Sequence, residues 1–148
     1  REISRTFVID LHTLTPAILA KTVAQLEEDY EREEEERMVE EVYSMAAAGD
    51  LAALGVDRVA DAVNLHAVAQ LLIHDGVATP GARCGSCGAL SRPRPRCVLC
   101  GGKTTQVSDL LEAMASAVGE SGGRVEHVTA GTRLESDLAA ASLRYSIW

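Results

Sequence analysis

Cys84-Gly85-Ser86-Cys87-Gly88 and Cys97-Val98-Leu99-Cys100-Gly101 are two Cys-x-x-Cys-Gly turns, with nine residues between Cys87 and Cys97. A two-residue spacer turns both thiols of a pair toward one point. The Gly that follows relieves crowding where backbone N–H groups approach sulfur. Four thiolates at tetrahedral corners, about 2.3 Å from the ion, form a closed zinc shell. Nothing else between 76 and 104 offers an apolar period, so a metal must organise this segment. In comparable peptides zinc supplies about 10–16 kcal/mol at neutral pH. The sequence therefore predicts one structural Zn²⁺ held by Cys84, Cys87, Cys97 and Cys100, in a ribbon spanning 81–103.

Disulfides and a redox thiol pair are the competing readings. All four cysteines of the chain lie here and no secretory pattern is visible in the first residues, which favours reduced thiolates in a cytosolic setting. A redox pair needs a helix N-terminus to lower a thiol pKa. Pro93, Pro95, Gly81, Gly85 and Gly88 argue against a helix there. A closed four-thiolate shell also leaves no open position for substrate.

The segment is basic: Arg83, Arg92, Arg94, Arg96 and Lys103, with no acid between Gly76 and Ser108. Four thiolates and Zn²⁺ carry about −2, so part of this charge offsets the site. The other use of Arg92, Arg94, Arg96 and Lys103 is contact with RNA or ribosomal phosphate, although the ribbon has no aromatics for base stacking.

Outward from the ribbon the pattern becomes that of an ordinary α/β body. Val68 to Ile73 is an apolar run of strand length before it, and Ser108 caps an amphipathic helix after it, with Leu110, Leu111, Met114 and Val118 on one face. Gly122-Gly123 ends that helix, Arg124 to Thr129 reads as a strand, and Leu143 to Trp148 as a closing strand. Upstream, Val56 to Leu65 is a short helix and Thr6 to Asp10 a short buried strand.

Between them, Thr15 is a good N-cap with Pro16 at the first helical position, and a helical pattern runs to Ala48 before Gly49. Leu19, Val23, Leu26 and Tyr30 form one apolar stripe, and Met38, Val42 and Met45 another. The second is rotated by about 100° from the first, so the two ends are expected to pack against different bodies. Glu31 to Arg37, all charged, form a solvated bridge, supported by Glu28–Arg32 and Glu33–Arg37 pairs. Residues 27–41 hold ten acids and two arginines, which accounts for the whole net charge of −8. The remainder is balanced, which argues against a broadly basic nucleic-acid-binding body. No apolar run has the roughly 18 residues of a membrane span.

The four histidines, His12, His66, His74 and His127, stand in no ligand spacing. Gly101-Gly102-Lys103-Thr104 lacks the first Gly and the preceding strand of a phosphate loop, and reads as the turn leaving the second knuckle. No nucleophile–base–orienter set is visible, so the chain is not expected to be an enzyme.

The order of these motifs resembles the C-terminal domain of archaeo-eukaryotic class-1 release factors and Pelota, and most of all their bacterial release-factor-like relatives. The resemblance rests on Val56-Asp57-Arg58-Val59-Ala60-Asp61-Ala62-Val63, the strand to Ile73, the inserted Cys pairs, the helix from Ser108, Gly123 to Val128, and Leu143-Arg144-Tyr145. It implies that residues 1–30 are the tail of a preceding domain with the start of a linking helix, and 31–148 an interaction domain. The phase break in the long helix fits that division independently. It also implies a partner, the ribosome or a translational GTPase, and a docking role for Arg144 and Tyr145. In the family, peptide release is carried by a Gly-Gly-Gln loop; here Gly101-Gly102 is followed by Lys103 and Gly122-Gly123 by Arg124. The family's glycine-rich stretch before Leu-Arg-Tyr is Asp137 to Ser142 in this chain.

The expectation is thus a layered α/β sandwich with a mixed sheet, a long N-terminal helix and an inserted zinc ribbon. Its expected function is non-catalytic partner binding in translation, in the cytoplasm, with no membrane and no small-molecule substrate. The alternative is a zinc-ribbon RNA-binding module acting through its basic segment.

Overall fold

The computed structural model describes residues 15–129 and 131–148. The expected strand at Thr6–Asp10 lies outside them.

Helix α1 (Pro16–Ala47) begins as its sequence dictates: the Thr15 side chain accepts a bond from the Ile18 N–H at 3.2 Å, and Pro16 stands in the first turn. At 1.5 Å per residue it is about 48 Å long. Its C-terminal third buries Val39, Val42 and Tyr43, with Met38 and Met45 beside them. Leu19 and Val23 of the first stripe remain 44% exposed. The charged bridge carries local pairs, Arg37 bonding Glu34 and Glu41 at 3.1 Å each and Arg32 facing Asp29 at 4.0 Å. It is not wholly solvated as expected, since Glu35 accepts from the Thr129 N–H at 2.7 Å. At the surface such pairs stabilise a helix by about 0.3–0.5 kcal/mol each.

After α1 come β1 (Ala52–Leu54), α2 (Val56–Asn64) and β2 (Val68–His74). The ribbon follows as β3 (Gly81–Cys84), β4 (Leu90–Ser91) and β5 (Thr104–Val107). The body resumes with α3 (Leu110–Glu120), β6 (Arg124–Val128), α4 (Leu134–Asp137) and β7 (Ala139–Leu143). The main sheet has the order β1-β7-β2-β6. Only β2 and β6 run parallel, joined by a crossover that contains both the ribbon and α3. β7 is antiparallel to β1 and β2.

Period-two alternation divides the core. Leu71 and Ile73 of β2, with Ala139, Ala141 and Leu143 of β7, face α2 and α3. Leu72, Ala140 and Val128 point the other way, against Val39, Val42 and Tyr43 of α1 and Leu134 of α4. The sheet is therefore covered on both faces, which is why β2 reads as a continuous apolar run.

Three expectations shift. Asp109, not Ser108, caps α3, its Oδ1 accepting from the Leu111 N–H at 3.2 Å. The closing strand lies at Ala139–Leu143 rather than Leu143–Trp148. Alanine is a poor strand former on a half-exposed surface, but these alanines sit at 0% exposure between two helical layers, where small side chains let both layers approach. β1 and α4 were not expected from the sequence, being only three and four residues long.

Candidate metal centre and its surroundings

The two Cys-x-x-Cys turns close on one point. The four Sγ atoms lie within 4.8 Å of one another. The shortest separations cross between the turns, Cys84 to Cys100 at 3.4 Å and Cys87 to Cys97 at 3.6 Å. A tetrahedron with metal–sulfur bonds of about 2.3 Å has edges of about 3.8 Å. The donor set therefore fits a closed tetrathiolate site for a metal ion. All four cysteines are free thiols, Cys84 and Cys97 buried and Cys87 and Cys100 exposed.

Each turn is built the same way. Gly88 N–H donates to the Cys84 carbonyl at 3.0 Å and Gly101 N–H to the Cys97 carbonyl at 2.9 Å. Both glycines have φ near +80° (79° and 76°), a region that costs other residues strain. With the chain so turned, backbone N–H groups reach sulfur: Ser86 and Cys87 donate to Cys84 Sγ at 3.3 Å, and Leu99 to Cys97 Sγ at 3.3 Å. These donors favour thiolate. The Cys87 and Ser86 amides hold the Cys84 thiol down at about 6, and the Cys100 and Leu99 amides lower Cys97. At Cys87 the Ala89 amide pulls the same way, but the neighbouring sulfurs of Cys84, Cys100 and Cys97 outweigh it and push the thiol up to about 12. A cation at the centre reverses that penalty, because it replaces mutual repulsion by attraction to a shared charge.

The ribbon is not a free knob. Ala82 and Leu90 are buried, and Leu90 belongs to the core shared by α2 and α3. Gly81 sits so close to α3 that an added Cβ would lie 2.8 Å from Leu110 Cβ and 2.8 Å from the Ser91 carbonyl. The Asn64 amide pairs with the backbone of Leu90, and Asp57 holds Arg92 at 3.0 Å.

That ion pair separates the expected basic residues. Arg92 faces α2, whereas Arg96 and Lys103 are bridged backbone to backbone. Thr104 reaches the same place, its hydroxyl donating to the Arg94 carbonyl. Arg94, Arg96 and Lys103 are thus gathered at the start of β5. Arg144 and Tyr145 lie elsewhere and bond within the chain. Arg144 Nε donates to the Val68 carbonyl at 3.1 Å and Nη2 to that of Ser121 at 3.0 Å. The Tyr145 hydroxyl donates to the Leu65 carbonyl at 2.5 Å, leaving a ring that is 48% exposed. Of the histidines, His127 pairs with Glu112 at 3.0 Å and His66 is exposed.

Sequence reasoning passed over Asn64, Val98 and Leu99. Val98 and Leu99 are 67% and 65% exposed at the tip of the second turn. The signal was present: both residues between two ligand cysteines must point away from the ion, so large apolar residues there face solvent.

A family model described as eRF1 domain 3 matches residues 32–147. The C-terminal domain of Peptide Chain Release Factor from Methanosarcina mazei has the same fold, with a TM-score of 0.59 and 18% identity over 91% of this chain and 98% of that one. Archaeoglobus fulgidus Pelota also gives 0.59, with 19% identity over 97% of this chain and 39% of that one, so this chain spans about two-fifths of that relative's length. No curated protein sequence matches.

Proposed function

The chain belongs to the eRF1 domain 3 family, and from that premise we propose that it is a non-catalytic docking domain of a release-factor-like translation protein, acting in the cytoplasm on the ribosome or a translational GTPase. The observation that carries this reading is the extent of the family match, which takes in the whole sheet and the ribbon. Residues 31–148 form the docking domain and 1–30 the tail of what precedes it; the match beginning at residue 32 supports that division. No Gly-Gly-Gln triplet occurs in the sequence, so release chemistry is not assigned to this chain.

The metal in this reading is one Zn²⁺ on Cys84, Cys87, Cys97 and Cys100. Four soft thiolates in a closed tetrahedron are its preferred donors. When bound, zinc supplies a structural cross-link between the two turns. The protein's own amides prepare the site by stabilising Cys84 and Cys97 as thiolates.

Docking is assigned to the body face around Arg144 and Tyr145, where Leu65 is half exposed and its carbonyl accepts from the Tyr145 hydroxyl. The second reading, RNA contact through the ribbon, is favoured by the gathering of Arg94, Arg96 and Lys103 at β5, with Arg92 beside them in sequence. Ribosome co-sedimentation separates the two. Changing Tyr145→Ala and Leu65→Ser together should reduce association at least tenfold, while replacing Arg92, Arg94 and Arg96 by Ala should act weakly. If the triple-Arg variant folds, keeps its zinc and sediments at least tenfold more weakly, with a log K against log salt slope smaller by about 0.7–0.9 per lost phosphate contact, the RNA reading replaces the first.

A further inference from the structure

The ribbon overhangs α2 and leaves a cleft on either side of the point where they touch. One concavity, of about 420 Å³, is lined toward the start of α2 by Asp57, Ala60 and Asp61 and across from them by Arg94, Val98 and Leu99. A second, of about 430 Å³, continues toward Val63 and His66. Both share Asn64, Ala89, Leu90 and Leu99, so the two flank the Asn64–Leu90 contact beneath the second Cys turn.

Three features give the cleft a chemistry. First, Val98 and Leu99 are the most exposed large apolar residues among the described residues, and the Leu99 N–H bond to Cys97 Sγ fixes their turn. Covering these two side chains would remove apolar surface from water, which favours a contact there. Second, the free charges on the two walls are opposite. Asp57 and Arg92 neutralise each other at 3.0 Å. Asp61 on α2 and Arg94 on the ribbon have no ion-pair partner among the described residues. Third, the apolar surface open to a ligand is that of Val98 and Leu99, since Ala60 and Leu90 beneath them are only 3% and 4% exposed.

We propose that this cleft docks a short peptide segment of a partner protein, with an apolar anchor against Val98 and Leu99, a cationic side chain facing Asp61 and an acidic one facing Arg94. A nucleic-acid strand suits it less well, because a phosphate would face Asp61, whereas Asp57 is already paired with Arg92. The second concavity reaches His66, next to Leu65 of the Tyr145 face, whereas Asp61, Arg94 and Val98 line the first. The proposal rests on the metal-filled ribbon proposed above, since the second Cys turn is one wall of the cleft.

The test is a selection of phage-displayed random 12-residue peptides on the zinc-loaded chain, with counter-selection on a Val98→Ser/Leu99→Ser variant. Zinc content is measured for every variant, so collapse of the ribbon is distinguished from loss of the cleft. Survivors are expected to place a Lys or Arg and an Asp or Glu on either side of one or two apolar residues. Their binding should weaken at least tenfold in Leu99→Ser and at least threefold in Asp61→Asn, with zinc retained. Asp61→Lys should favour peptides with an acid in place of the cation. The proposal is overturned if no peptide survives counter-selection, if survivors bind Asp61→Asn as well as the parent chain, or if single-stranded poly(U) displaces them in an Arg94-dependent way. Purely acidic or purely basic survivors would also overturn it.

Discussion

The side-chain amide of Asn64 pairs with the backbone of Leu90 as a neighbouring strand would, donating to its carbonyl and accepting from its N–H, both at 2.8 Å. One residue at the end of α2 thus extends the ribbon's short β4 and fastens it to the body. The bond pair satisfies two part-buried backbone groups that no strand covers. It places Leu90, 4% exposed, in the core.

Asn64→Leu should therefore cost more than a surface substitution. Both Leu90 groups lose their partners, and leaving buried polar groups unpaired costs about 1–3 kcal/mol each, before any repacking. Chemical denaturation of the zinc-loaded chain should show a loss of about 2 kcal/mol or more. Zinc content should not change, because Asn64 touches no cysteine Sγ.

Metal binding should release protons and weaken in acid. The folded-state pKa of Cys84 is depressed, to about 6, so its thiolate contributes stability above the unfolded thiol value of about 8.5. That contribution is lost as pH falls through about 6. Cys87, which the Ala89 amide pulls down but the neighbouring sulfurs push up to about 12, must give up its proton to the solvent when an ion binds. Calorimetric titration with Zn²⁺ in buffers of different ionisation enthalpy should show proton release at pH 7, and affinity should fall steeply below pH 6. Proton uptake, or affinity independent of pH, would be incompatible with a thiolate site.

Cys87→Ser should abolish stoichiometric zinc, because three thiolates leave an open and weaker shell. Elemental analysis is expected to give one zinc per parent chain and much less for the variant. Circular dichroism should retain most of its helical signal on chelation, since α1 and α3 pack chiefly on the main sheet. The unfolding midpoint should nevertheless fall, because Leu90 and Ala82 lose their place.

Tyr43 ties the long helix to the far end of the chain. Its hydroxyl donates to the Asp137 carboxylate, and the Arg133 guanidinium lies 4.3 Å over its ring while pairing with Glu40 at 3.2 Å. Burial first, and then the Asp137 carboxylate, raise the phenol's pKa, so it stays protonated as a donor across the alkaline range. Tyr43→Phe should cost about 1–2 kcal/mol in denaturant unfolding. It should also increase hydrogen exchange in α4 and the C-terminal third of α1. Unchanged exchange there would mean that apolar packing alone holds the helix.

Leu72 is fully buried on the α1 face of the sheet, opposite in direction to Leu71 and Ile73. Leu72→Ala should destabilise by about 2–5 kcal/mol through the cavity it leaves. A cost below 1 kcal/mol would show that α1 is not packed on the sheet as described.

The sequence alone determined the features whose cause is local. The Cys spacing and its glycines fix the two turns, Thr15-Pro16 starts α1, and the apolar runs of β2 and α3 declare burial without reference to partners. The rotated apolar stripes of α1 predict that its two ends pack against different bodies; the C-terminal stripe lies on the sheet, and Leu19 and Val23 of the other are 44% exposed. Tertiary structure decided the rest. Ala139 to Leu143 is a strand because two helical layers cover it, a reason its weak local propensity cannot express. Arg92 turns to Asp57, 35 positions away in sequence, and Asn64 meets Leu90, 26 away. Those pairings, and the cleft between α2 and the ribbon, depend on which surfaces the fold brings together. Residue type and spacing encode turns and faces, but only packing determines which face meets which.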